Sequence, residues 1–145
     1  MPTARDLLDA KPRRDVFTTT ADALVQDACR LMSQQRVGCL VVVAGEKIVG
    51  IFTERDVLNR VVAEGRGAAQ TRVGDVMTRN VLVVPPDRPV RDIEAIMKQQ
   101  SIRHLPVAGE EHLLGLISIG DVLAWDAAND KQTLQYLTDY MYGRH

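Results

Sequence analysis

"GIFTERDVL", residues 50–58, returns later in the chain as "GLISIGDVL", residues 115–123, keeping the glycine, a hydroxyl, an aspartate and the apolar exit while its centre changes. Asp56 falls on Asp121 at an offset of 65, and at that offset residues 16–58 lie over 81–123 without a gap. Val16 meets Val81, Asp22 meets Asp87, Val25 meets Val90, Met32 meets Met97, Leu40 meets Leu105 and Val42 meets Val107. About a third of the aligned positions are identical, and about a third of the others exchange one apolar side chain for another. The chain is a duplication, so each unit needs reading only once.

Each unit reads as strand, helix, strand, strand, helix. "VFTTT" and "VLVVP" are β-prone runs closed by turn signals, Ala21-Asp22 in one copy and Pro85-Pro86-Asp87 in the other. Leu24, Val25, Ala28, Leu31 and Met32 recur at helical spacing, as do Val90, Ile93, Ile96 and Met97. Asp22 and Asp87 stand just ahead of those helices and are expected to cap them. "VGCLVVVAGEKIVGIF" and "IRHLPVAGEEHLLGLIS" then read as hairpins. A second helix follows in each copy, "RDVLNRVVAEG" and "GDVLAWDAAND". One unit of roughly 55 residues buries too little surface to be stable alone, so two are expected to share a core. The expected fold is α/β (α+β): duplicated β-α-β-β-α units with pseudo-twofold symmetry, unit 1 over residues 1–66 and unit 2 over 67–129. A C-terminal helix over 130–145 follows, with Leu134, Leu137 and Met141 as its apolar stripe and Tyr136 and Tyr140 on its flank.

Composition narrows the function classes. The chain has 145 residues, 46% of them hydrophobic and 26% charged, and a net charge of -1, as a soluble globular protein does. Nucleic acid is not an expected partner, because Arg13 and Arg14 are offset by Asp9 and Asp15 while Arg66 and Arg72 stand apart. No run approaches the roughly 20 apolar residues of a membrane span and no leader pattern opens the chain, so no membrane partner and a cytoplasmic location are expected. Cys29 and Cys39 are too few for a disulfide framework and read as small buried hydrophobes, with a reactive thiol at Cys39 as the alternative.

Gly50-x-x-Thr53-x-x-Asp56 and Gly115-x-x-Ser118-x-x-Asp121 each fall where a strand gives way to a helix. One reading is a capping box, the hydroxyl taking a backbone N–H and the acid facing the positive end of the helix dipole. The same geometry has a second use. Free N–H groups at a helix N-terminus attract phosphate, a hydroxyl adds a donor, and a carboxylate one turn on can accept from both hydroxyls of a ribose. The Gly-x-Gly-x-x-Gly turn of dinucleotide folds and the P-loop pattern are both absent.

The duplicated motif, with "VLVVPPDRPVRDIEAIMKQQSIRHLPV" and "LLGLISIGDVL", resembles a tandem pair of CBS domains (cystathionine-β-synthase-type domains), a Bateman module, over all but about the last fifteen residues. That resemblance implies adenosine-nucleotide clefts between paired units. One cleft would use Ser118 and Asp121 with backbone near Lys11 and Val16, and Arg103 and His104 directed at phosphate. Its counterpart would use Thr53 and Asp56 with the segment near Thr78 and Val81. The first copy has Gly38-Cys39 where the second has Arg103-His104, leaving Arg55 as its compensating cation. The Ser118/Asp121 site is therefore expected to bind a phosphorylated adenosine more tightly than the Thr53/Asp56 site.

Nothing in the pattern points to catalysis. His104, His112 and His145 form no metal-ligand spacing, no catalytic cofactor is expected, and neither Thr53 nor Ser118 has a local base. The expected function is a regulatory module sensing AMP first, with ADP, ATP or NAD as further choices, and acting in trans on an effector protein. The alternative is a scaffold or partner-binding protein independent of ligand. The resemblance also implies a homodimer through "DVLNRVVAEG" and "DVLAWDAA", with Trp125 either as its anchor or as a core aromatic.

Overall fold

The computed structural model describes residues 1–110, 112–128 and 138–141. In chain order the elements are α1 (Ala4–Ala10), β1 (Thr18–Thr19), α2 (Val25–Gln35), β2 (Cys39–Ala44), β3 (Lys47–Thr53), α3 (Glu54–Asp56), α4 (Val73–Val76), α5 (Val90–Gln100), β4 (His104–Gly109), β5 (His112–Ser118) and α6 (Ile119–Ala127). Helix α3 runs on as a π-helical stretch, Val57–Val62. The strands form two small sheets, β1-β2-β3 and β4-β5, so the fold is α+β as the pattern requires. Residues 138–141 are helical, whereas Leu134, Tyr136 and Leu137 of the expected C-terminal helix lie outside the described residues.

The chain divides into two compact units. The first holds Met1–Arg14, Val83–Gly109 and the chain from Leu114 onward; the second holds Asp15–Leu82 with Glu110–Leu113. These units are drawn differently from the sequence repeats, because the short helix that leads each repeat is shed to other company. In the first unit α1 packs with the second repeat, and Leu7 and Leu8 join Ile93, Met97, Leu105, Val107, Ile117 and Val122 in one core. In the second unit α4 brings Val73, Val76 and Met77 to a core built on Val25, Met32, Leu40, Val42, Phe52 and Val61. Phe52 is fully buried, a burial that contributes on the order of 1.5–3 kcal/mol.

Those borrowed helices also explain a correction. Asp22 and Asp87 do not cap: α2 begins after Leu24 and α5 after Pro89, neither with a side-chain cap. Instead the Val25 N–H donates to the Thr71 carbonyl (2.8 Å) and the Val90 N–H to the Pro2 carbonyl (3.0 Å). Backbone arriving just ahead of α4 and α1 satisfies the orphan donors, and a side-chain cap becomes redundant. The polar stretch between the repeats thus ends in structure, with Thr71 buried and its hydroxyl donating to the Gly67 carbonyl at 2.7 Å.

The first strand of each repeat is shorter than its composition predicts. In "VFTTT" only Thr18 and Thr19 pair, in parallel with Val41 and Val42. In "VLVVP" a single bridge remains, Val84 to Val107, at the equivalent register; Pro85 and Pro86 have no N–H with which to extend a ladder. The first hairpin is as expected, β2 antiparallel to β3 with Cys39 opposite Thr53 and Leu40 opposite Phe52.

Two glycines let the borrowed helices close in. A Cβ on Gly50 would lie 2.6 Å from Met77 Sδ and 2.9 Å from the Thr78 carbonyl, and one on Gly115 would lie 2.6 Å from Leu8 Cδ2. Gly50 and Gly115 are equivalent in the duplication, so the kept glycine of the opening motif marks where a helix from outside the repeat presses on the strand.

Candidate functional site

In the first unit the strand-to-helix junction carries Ser118 and Asp121. Ser118 Oγ accepts from the Asp121 N–H (3.1 Å) while Asp121 Oδ2 accepts from the Ser118 N–H (2.8 Å), a reciprocal capping box. Lys11 is the residue on which α1 ends. Its ammonium lies 2.9 Å from Asp121 Oδ2 and donates to the Leu116 carbonyl at 2.7 Å. Both partners of that ion pair keep 18% side-chain exposure, so the pair borders solvent. Asp121 Oδ1 accepts no hydrogen bond among the described residues.

Arg103 and His104 lead into β4, and the Arg103 carbonyl accepts from Ile119 N–H at 2.8 Å, tying this segment to the start of α6. Burial lowers the His104 pKa below its ordinary 6.5; Asp121 opposes that shift, and Lys11 and Arg103 reinforce it. The structure therefore places Lys11, Arg103, His104, Ser118 and Asp121 in one unit, with Lys11 paired to the capped carboxylate at the start of α6 and His104 within reach of its charge. Val16 belongs to the other unit, where it is half-buried.

The second unit repeats the capping box but closes the acid. Thr53 Oγ1 accepts from the Asp56 N–H (3.2 Å) and Asp56 Oδ2 accepts from the Thr53 N–H (3.1 Å). The Thr78 hydroxyl donates to Asp56 Oδ1 at 3.2 Å, and Arg60 Nε stands 3.8 Å from the same oxygen. Asp56 is only 6% exposed. Thr78 is placed by a two-way backbone bridge to Ile51, 2.9 Å in each direction. Val81 follows with its N–H on the Arg79 carbonyl, and Arg55 is exposed on the first turn of α3.

Arg60 was not among the residues expected here. It donates to the Met77 carbonyl at 2.9 Å besides facing Asp56, and so ties the π-helical stretch to the end of α4. Its spacing from Asp56, one helical turn, was the available signal. The equivalent position at the offset of 65 is Trp125, which packs against the first unit's core; the core-aromatic alternative for Trp125 therefore has a structural basis. Asp121 has no arginine in that place.

Cys39 stands where the other copy has His104. It is buried, and burial first and the Asp56 charge second push its thiol up to about 12, which disfavours the thiolate near neutral pH. Cys29 is half-buried, its pKa also raised by burial. At Gly38, the counterpart of Arg103, a Cβ would already lie 3.3 Å from the Glu54 carboxyl carbon. An open cavity of about 520 Å³ adjoins this point, lined among others by Arg36, Glu54 and Val57. Among the described residues no group of three or more His, Cys, Asp or Glu side chains could hold a metal ion, and no helix is long and apolar enough to cross a membrane.

Residues 3–63 and 73–128 each match the family profile of the CBS domain. The chain belongs to the CBS-domain family. As a tandem CBS pair it is 39% identical over 129 residues to the mitochondrial CBS domain-containing protein CBSX3 of Arabidopsis thaliana, a match covering 86% of this chain and 63% of that protein. It thus spans less than two thirds of that relative. Among solved structures, a putative signal-transduction protein with CBS domains from Burkholderia ambifaria superposes with a TM-score of 0.84 at 40% identity, over 89% of this chain and 96% of that one. The CBS domain pair of protein MJ0100, in complex with 5-methylthioadenosine and S-adenosyl-L-methionine, superposes with a TM-score of 0.78 over 90% of this chain and 99% of its own. At 20% identity that likeness is one of fold.

Proposed function

We propose that this CBS pair is a non-catalytic regulatory module whose Ser118/Asp121 half binds an adenosine nucleotide, AMP first and ADP, ATP or NAD as alternatives. The observation that carries the reading is the asymmetry of the two acids. Asp121 meets Ser118 and Lys11 through Oδ2, with no bond to Oδ1 among the described residues, and its charge, with those of Lys11 and Arg103, reaches His104. A ribose diol donates to such a carboxylate, and a phosphate is drawn to the three basic groups and the helix N-terminus. MJ0100, a protein of the same fold, carries adenosine-containing ligands.

Asp56 is occupied from within by Thr53, Thr78 and Arg60, and this favours a ligand-independent, scaffold-like role for that half. The ligand acts by favouring one arrangement of the protein over another, to the extent of its differential affinity. The output passes in trans to an effector protein, from a homodimer. Free cysteines fit a reducing compartment, the cytoplasm.

Isothermal titration with AMP, ADP, ATP and NAD tests the reading directly, with thermal unfolding as the second readout. A true ligand at about 100 times its dissociation constant adds roughly 2.7 kcal/mol of stability. Asp121→Ala should abolish that gain, and Asp56→Ala should leave it. Absence of heat and of stabilisation with all four nucleotides would leave the scaffold reading in its place.

A further inference from the structure

We infer that the Ser118/Asp121 half takes up a proton at His104 when it receives a phosphorylated ligand, so that mild acidification tightens binding there and leaves the Thr53/Asp56 half unaffected. The inference rests on the nucleotide reading above and adds regulation to it. His104 opens β4 and is half-buried. The carbonyl of Arg103, just before it, accepts from the Ile119 N–H at 2.8 Å, which holds the start of β4 against the start of α6; the charges that act on the ring are Asp121 on α6, Lys11 at the end of α1 and Arg103 beside it in the chain.

Without ligand, loss of water outweighs the pull of Asp121, and two neighbouring cations oppose a third. The imidazole is then neutral at pH 7. Lys11 and Asp121 already neutralise one another at 2.9 Å. A phosphate arriving among these groups brings a charge of about −1.5 to −2 and reverses the field at the ring, which now favours imidazolium. Ligand and proton therefore bind cooperatively, and the effect is reciprocal.

The sign follows from the direction of the shift. A His104 pKa below 6.5 when free, raised on binding, makes affinity grow as pH falls from the bound value to the free one, by at most about tenfold per pH unit for one proton. Below the free value the gain levels off. The phosphate's own ionisation works the other way, since basic groups favour the dianion and expel its proton. Uptake at neutral pH thus identifies a protein group. In the second unit Cys39 holds the equivalent position, neutral with its pKa at about 12, and Gly38 replaces Arg103; the Thr53/Asp56 capping box has no imidazole in the place of His104.

The test is calorimetric titration of AMP into the full chain near pH 7, repeated in buffers of differing ionisation enthalpy, with adenosine as the phosphate-free control. The expected result is net proton uptake on binding AMP, none with adenosine, and none with AMP in His104→Asn. The His104 ring resonance should titrate below pH 6.5 in the free protein and above it with AMP bound, a readout that needs no variant. AMP binding without proton uptake, or with an unmoved His104 midpoint, would overturn this inference while leaving the nucleotide reading intact. If AMP, ADP, ATP and NAD all fail to bind, the nucleotide reading falls and takes this one with it.

Discussion

Replacing Thr78 by valine removes one hydroxyl and almost no volume, and so isolates what closes Asp56. Thr78 Oγ1 lies 3.2 Å from Oδ1 and 3.5 Å from Oδ2 of a carboxylate only 6% exposed. A hydrogen bond to a charged, buried acceptor is worth roughly 1.5–3 kcal/mol, and the partner left behind cannot turn to water for compensation. The capping box with Thr53 survives the change, and Arg60 remains at 3.8 Å, so the expected loss sits in the lower half of that range, about 1.5–2 kcal/mol. Urea unfolding of wild type, Thr78→Val, Asp56→Asn and the double variant measures it, and the cycle should return a coupling of about 1 kcal/mol or more. A Thr78→Val protein within about 0.5 kcal/mol of wild type, the ordinary scatter of surface changes, together with zero coupling to Asp56, would refute the claim that this acid is held shut from within.

Three further outcomes follow from local geometry. Glu94 on α5 has its pKa raised to about 7, first by a hydrogen bond from its carboxyl group to Asp126 on α6, then by burial and by the Asp126 charge. The folded state thus holds this proton more tightly than the unfolded one, and stability should decline as pH rises from 4.5 to about 7; Glu94→Gln, which keeps a donor, should raise Tm at pH 8 and change it little at pH 4.5. Gly50→Ala should destabilise more than Gly115→Ala by urea unfolding, because its Cβ meets the Thr78 carbonyl as well as Met77, whereas the three atoms nearest a Cβ on Gly115 all belong to the Leu8 side chain; overpacking of this kind costs about 1–3 kcal/mol, and Leu8→Ala should rescue Gly115→Ala alone. Thiol titration of the native chain at pH 8 should leave Cys39 unmodified until the protein unfolds, since its thiol is buried and pushed up to about 12.

What the sequence disclosed and what it withheld divide along the range of the interactions. The capping boxes were legible because S/T-x-x-D names both partners within one turn, and both copies form them. The hairpins and the two long helices were legible for the same reason, since each is written in its own periodicity. The helix starts were misread because their N–H groups are met by Thr71 and Pro2, carbonyls contributed by whatever residue arrives there; a backbone acceptor leaves no mark in composition. The inequality of the two acids lay partly in view. Gly38-Cys39 against Arg103-His104 was visible on alignment, whereas Lys11 and Thr78 come from the segments leading into each repeat, where the chain must fold before anything shows which acid each will meet. Arg60 against Trp125 stood in register throughout, but "LNRVV" and "LAWDA" read simply as helix until α4 supplied the carbonyls that turn Arg60 toward Asp56. One duplicated motif can thus close into a structural latch in one half and stay open toward solvent in the other, with the choice made by side chains outside the motif itself.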